Sequence, residues 1–360
     1  MQFSLSDLLK SVRHNKGSSF PGVLPDTRSN EEKAKDYLHE EIVSDDRREA
    51  LGALYEWQEK PRDKWKRFPI KNQDGSSSCV GQAIAKALGI HNNIEEDLYV
   101  ELSAGWIYAH RTNFPGQGMI INQAMNFATE SGATLEYFLP TNGKSEQELN
   151  EYRGKRYPAS IGEIAKIYKP GNFVEVISRD INELAALLEI RPLVMGFTFD
   201  YNEWTEEPKL VTNAPQLRHL TCGIEATLHN GQKRIIIDDS WKEEATILGG
   251  KRLISQEFLL KRCFYVGYFI DLSNTWQSEP NKPRVNFTRD LTPGAKADQD
   301  VKILQDVLKY EKLFDNTVDS TGNYFGLTQA AVSKLRVKYG VAAGTAFDAG
   351  IRAIINKQYK

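Results

Sequence analysis

Cys79 follows the small-residue run Gly75-Ser76-Ser77-Ser78 and opens a stretch in which Val80, Ala83, Ile84, Ala87 and Leu88 recur at helical spacing. A cysteine in the first turn of a helix sits at the positive end of the helix dipole, which favours the thiolate, the nucleophilic form of sulfur. Gln73 lies six residues earlier. Its side-chain amide can donate to an oxyanion together with the Cys79 backbone N–H. A thiolate nucleophile needs a base. Of six histidines, His14 and His39 fall in an N-terminal extension, His91 and His110 on helical stretches, and His229 at a turn. That leaves His219, at the start of a strand. Taken alone, a cysteine among serines is more often a buried structural residue, so the weight rests on the set.

These residues need elements to hold them. The spacing predicts a helix from Cys79, a second over 120–130 ending at Ser131-Gly132, and a third over 181–189 capped by Asp180. Strand character then takes over: Leu193 to Phe197, a hairpin of 220–228 and 234–238 closed at His229-Asn230-Gly231-Gln232, and Phe264 to Ile270. Helices first and a sheet afterwards imply an α+β architecture in two lobes, a helical one and an antiparallel-sheet one. Residues 1–61 read as an N-terminal helical extension, helical from Asn30 to about Gln58, with Ser44 as a cap. It is either a solvated arm or an inhibitory or assembly segment lying across the site. Residues 273–288 read as a linker, followed by three short amphipathic helices near 298–311, 326–339 and 346–357.

The stretch Lys71-Asn72-Gln73 to Ser78-Cys79 resembles the active-site segment of papain-like (C1 family) cysteine peptidases. Val80 stands where that family has Trp, and Ser76 where it has a disulfide cysteine. His219 falls at the expected interval, and Asp239-Ser240-Trp241 takes the place of the family's Asn-Ser-Trp. The resemblance spans about 62–272. It implies a catalytic set of Cys79, His219, Asp239 and Gln73. Asp239 would accept from the imidazole, and Trp241 would screen that bond. Gly116-Gln117-Gly118 is similar to the family's substrate loop, which makes Gly116, Gly118 and Trp241 the substrate-binding residues. The family's Gly-Trp after the third residue is replaced by Lys242-Glu243-Glu244. No metal or cofactor is implied.

Residues 289–360 resemble the three-helix peptidoglycan-binding domains of bacterial and phage wall enzymes, through Leu291-Thr292-Pro293-Gly294, Leu304-Gln305, Thr321-Gly322-Asn323-Tyr324-Phe325-Gly326 and Tyr339-Gly340-Val341. Peptidoglycan is then the implied partner of this tail. The net charge of −2 gives no attraction to nucleic acid or anionic membranes, and no apolar run is long enough to span a bilayer. Three cysteines, Cys79, Cys222 and Cys263, argue against a disulfide framework. The first residues lack a signal peptide's apolar core, so synthesis in the cytoplasm is expected, with a virion or bacterial envelope as the place of action. Two functions follow: a cysteine peptidase acting on a wall peptide or wall-associated protein, or a structural or adhesive virion component built on an inactive peptidase fold. Partners would be peptide substrate in the first case and other virion proteins in the second.

Overall fold

The computed structural model describes residues 22–33, 36–73, 75–97, 99–154, 157–241, 250–270, 282–315 and 318–359. Residues 1–21 of the extension, most of the linker and Lys242-Glu243-Glu244 lie outside them. The helices are α1 (Asn30–Lys33), α2 (His39–Ile42), α3 (Asp45–Leu54), α4 (Cys79–Glu96), α5 (Ala104–Ala109), α6 (Ile121–Ser131), α7 (Glu146–Gly154), α8 (Ala159–Ile167), α9 (Ile181–Ile190), α10 (Gln256–Arg262), α11 (Gln299–Tyr310), α12 (Gly326–Lys338) and α13 (Ala349–Gln358). The strands are β1 (Asn172–Glu175), β2 (Leu193–Phe199), β3 (Leu217–His229), β4 (Gln232–Asp238), β5 (Lys251–Ile254) and β6 (Cys263–Ile270).

The strands form one antiparallel sheet in the order β1-β6-β2-β3-β4-β5. Alternate residues serve opposite faces, as the two-residue period requires. Met195, Phe197, Ile235 and Ile237 join one core with α9 and α10. Val194, Leu220, Cys222, Ile224 and Ile236 join the other with α4, α5 and α6. The two expected lobes are therefore present, and the long strand β3 runs between them. Asp180 caps α9 by accepting from Asn182 and Glu183 N–H. The β3–β4 hairpin turns at Asn230-Gly231, both with positive φ (52° and 71°), the geometry of a two-residue primed turn.

The N-terminal extension differs from its expected continuous helix. It is three short helices, and Leu38 between the first two makes a parallel bridge to Glu175 of β1. Nor do these helices cover the site. His39 pairs with Tyr268 of β6 through Nδ1 (2.8 Å), and Arg48 donates to Glu183 of α9 (3.1 Å). On the other side the arm meets the three-helix domain. Asp319 N–H donates to Ile42 O (3.1 Å), the Thr321 hydroxyl to Glu41 O (3.0 Å), and the Asn323 amide to Glu40 O (2.6 Å). The arm is thus wedged between the sheet lobe and the C-terminal helices. Val285 and Phe287, placed in the linker by sequence, are buried against that C-terminal domain.

Candidate active site

Cys79 is the first residue of α4, and Ser78 before it is the N-cap. The approach loop is fixed by its own serines. The Ser76 hydroxyl donates to Gln73 O (2.8 Å) and pairs with the Ser78 hydroxyl (2.7 Å), while Glu146 accepts from Ser77 N–H (2.9 Å). Gly75 supplies the positive φ (80°) that starts the loop. The α4 helix is anchored by Lys86, buried and bonded to Phe68 O and Pro69 O (both 3.0 Å) and to Asp238.

His219 stands near the start of β3, opposite Phe197 of β2. Its Nε2 lies 2.7 Å from Asp239 Oδ1. The Cys79 thiol is its other side-chain partner. A carboxylate oxygen only accepts, so Nε2 carries the hydrogen and Nδ1 is left for the thiol. All three side chains are buried, at 0%, 1% and 0% exposure for Cys79, His219 and Asp239. Burial alone would lower the His219 pKa, but the Asp239 carboxylate outweighs it, with Cys79 adding, and pushes it up to about 9. Burial likewise opposes ionisation of Asp239. His219, Arg252 and the Trp241 N–H together hold its carboxyl well below the usual range.

Gln73 is tied to the same segment. Its Oε1 accepts from the Ser240 hydroxyl (2.7 Å), its backbone N–H donates to Ser240 O (3.0 Å), and its Nε2 donates to Ser76 O (3.1 Å). Trp241 covers the imidazole, with ring centroids 4.6 Å apart, and its N–H donates to Asp239 Oδ1 (3.0 Å). The structure therefore brings Cys79, His219, Asp239, Ser240 and Trp241 together, with Gln73 on the loop beside them.

Gly116 and Gly118 sit on the loop before α6. Gly116 is exposed, and its carbonyl accepts from Arg111 (2.6 Å). Gly118 is buried with φ 75°, and its N–H donates to the Tyr108 hydroxyl (3.2 Å). The next residue, Met119, pairs with a segment that sequence reasoning did not single out. Leu24 N–H donates to Met119 O (2.8 Å) and Met119 N–H to Gly22 O (3.1 Å), a parallel bridge centred on Val23. This strap crosses the cleft directly over the sulfur: a Cβ on Gly22 would lie 2.6 Å from Cys79 Sγ and 3.2 Å from Arg218 O. A clasp holds its far end. Arg28 bridges Asp26 and Asp36, and Asn122 of α6 donates to Asp36 (2.6 Å).

Sequence reasoning also passed over Trp204 and Arg252. Both are buried and both bond Asp239 Oδ2, Trp204 through Nε1 (2.7 Å) and Arg252 through Nε (2.5 Å). The signal available was chemical: a buried carboxylate beside an imidazole calls for a countercharge.

No family model matches the chain, and no curated protein matches it in sequence. Among solved structures it is similar to xylellain, a cysteine protease from Xylella fastidiosa, with 17% identity over 70% of this chain and 96% of that one, at a TM-score of 0.54. Recombinant stem bromelain precursor (15% identity, 74% and 89% coverage, TM-score 0.49) and procathepsin L 3 of the Tenebrio molitor larval midgut (14%, 67% and 79%, 0.48) are also similar. The fold is that of the papain-like cysteine proteases, a helical lobe against an antiparallel sheet.

Proposed function

We propose that this chain is a cysteine peptidase, with Cys79 as nucleophile, His219 as general base and acid, Asp239 orienting the imidazole, and Gln73 as an oxyanion donor. The observation that carries the reading is the Cys79–His219–Asp239 alignment at the junction of the lobes, with 2.7 Å between imidazole and carboxylate. In this reading the Cys79 thiol passes its proton to His219 Nδ1, and the resulting thiolate attacks a peptide carbonyl carbon. The oxygen that becomes negative is met by the Cys79 backbone N–H and by a Gln73 Nε2 N–H. One N–H of that amide goes to Ser76 O, and the second is the one assigned to the oxyanion. His219 Nδ1 gives its proton to the departing amine, leaving a thioester on Cys79. The neutral imidazole then takes a proton from water, whose oxygen attacks the thioester carbon and releases the acid and the thiolate. Trp241 keeps water off the His219–Asp239 bond, and Gly116 and Gly118 line the substrate side.

The strap through Gly22–Leu24 restrains this site, since it occupies the space above the sulfur that a substrate carbonyl needs. Residues 289–360 direct the enzyme to bacterial peptidoglycan, in a phage or bacterial setting, on the strength of the motif likeness. A thiol-directed peptidyl electrophile should label Cys79 in the full chain, and labelling should collapse in His219→Ala. Labelling that is equal in both proteins would remove His219 as the activating base.

One observation favours a second reading, a structural or adhesive protein on an inactive fold: Cys79 is wholly buried beneath the strap. An opened strap without turnover is its signature.

A further inference from the structure

Asp239 is an anion with no exposed surface, and its two oxygens divide between different partners. Oδ1 serves the imidazole side, accepting from His219 Nε2 (2.7 Å) and Trp241 N–H (3.0 Å). Oδ2 faces away from the chemistry and accepts from Trp204 Nε1 (2.7 Å) and Arg252 Nε (2.5 Å). Arg252 lies on β5 opposite Ile237 of β4 and is itself buried. Its guanidinium is held from a second direction, donating through Nη1 to Trp204 O (2.9 Å) and standing 5.1 Å from the Trp204 ring centroid. Trp204 in turn is fixed by its neighbour Glu203, which is fully buried and ion-paired with Arg262 of α10 (2.7 Å). Arginine and tryptophan thus form a rigid bracket around one carboxylate oxygen.

The charge balance gives this bracket a purpose. A thiolate, an imidazolium and a carboxylate sum to one buried negative charge, which is costly away from water. Arg252 brings the sum to zero. Without it, the uncompensated Asp239 carboxylate would hold the His219 proton too tightly to pass it on. We propose that Arg252 is a positioning residue of the catalytic set: acting through Asp239 Oδ2, it keeps that carboxylate ionised and aimed at His219, and limits how firmly the imidazolium is held. The proposal rests on the Cys-His-Asp reading above.

Among the described residues, the other charges on the surrounding elements are directed away from Asp239. His219 faces the Cys79 thiol from α4, Asp239 at the end of β4, and the uncharged rings of Phe199, Trp204 and Trp241. Lys86 on α4 is bonded to Asp238, Glu203 to Arg262, and Arg218 stacks over Phe264 at 4.3 Å. Of these neighbours, Arg252 is the cation bonded to Asp239.

The test is a double-mutant cycle of the full chain: parent, Arg252→Gln, Asp239→Asn and the double variant. The primary readout needs no substrate. Ring-labelled histidine gives the His219 titration by NMR, assigned by its loss in His219→Gln. Removing Arg252 should raise the His219 midpoint by about one pH unit, the scale of one nearby charge. Asp239→Asn should lower it, and Arg252→Gln should then add nothing. Arg252→Lys, which keeps the charge, should titrate near the parent. A role in packing alone predicts the same midpoint in parent and Arg252→Gln, and that result overturns the proposal, as does an equal shift in the Asp239→Asn background. If Arg252→Gln does not fold, the double variant decides, because it removes both charges together. A midpoint different from that of Asp239→Asn would show Arg252 acting without Asp239. The pH profile of kcat/KM for peptide hydrolysis separates this inference from the reading beneath it. The expected titrations without turnover would sink the peptidase and leave the clamp. Turnover with an unmoved midpoint would do the reverse.

Discussion

Placing a methyl group on Gly22 should uncover Cys79. The strap is held over the sulfur by two backbone hydrogen bonds to Met119 and by burial of Val23, with the Arg28 clasp behind them. The hydrogen bonds contribute about 1 kcal/mol each, burial of the valine about 2 kcal/mol, and the partly exposed clasp about 1 kcal/mol. Ordering three residues costs about 3 kcal/mol. The closed state is then favoured by about 2 kcal/mol, roughly 30 to 1 at 1.4 kcal/mol per tenfold. A Cβ at Gly22 meets Cys79 Sγ at 2.6 Å and Arg218 O at 3.2 Å, and overpacking of this kind costs about 1–3 kcal/mol. Gly22→Ala should therefore raise the open fraction about tenfold, and by no more than about thirtyfold, where the closed state is exhausted. The assay is the rate of iodoacetamide labelling mapped to Cys79 by mass, with buried Cys222 and Cys263 as internal references. Unchanged labelling of Cys79 in a folded Gly22→Ala protein would refute the strap as the barrier.

Gln73→Ala should lower kcat by roughly 10²–10³, the usual loss for one oxyanion donor; a change confined to KM would assign Gln73 to binding. His39 is buried against Tyr268, and burial pulls its pKa down to about 3. The folded protein thus binds fewer protons than the unfolded chain between pH 6.5 and 3, and stability falls as pH drops through that window. His39→Gln should flatten the slope of Tm against pH there, and an unaltered slope would exclude His39 as its source. The full chain should co-sediment with purified bacterial walls, and deleting 286–360 should abolish pelleting; a full chain that stays in solution with walls of several types would remove peptidoglycan as the partner.

Where local pattern and tertiary structure agreed, the sequence was readable. Cys79 at a helix start, Asp180 as a cap, Gly132 as a stop and Asn230-Gly231 as a turn each carry their own backbone chemistry, and the structure has each in that role. So has the pairing of His219 with Asp239, because a hairpin returns the chain to where it began. The extension misled because its Glu, Lys and Arg content favours helix, while Leu38 is drawn into a bridge with β1, a tertiary contact that overrides propensity. The strap has no periodicity, and its place is set by Met119, far away in sequence. Strand β5 is four residues long, too short for alternation to show, so no pattern marked Arg252. Trp204 lies in a loop without periodicity, where the Glu203–Arg262 pair beside it helps hold the indole that donates to Asp239.

The claim at the centre is that Cys79 cuts peptide bonds. The measurement that meets it most directly is hydrolysis of a mixed peptide library by the Gly22→Ala chain, with Gly22→Ala/Cys79→Ala as the paired control, both read by mass spectrometry at neutral pH. The account predicts cleavage products from the first protein and none from the second. It is contradicted by equal cleavage in both, or by none in the first once iodoacetamide has shown its Cys79 to be open.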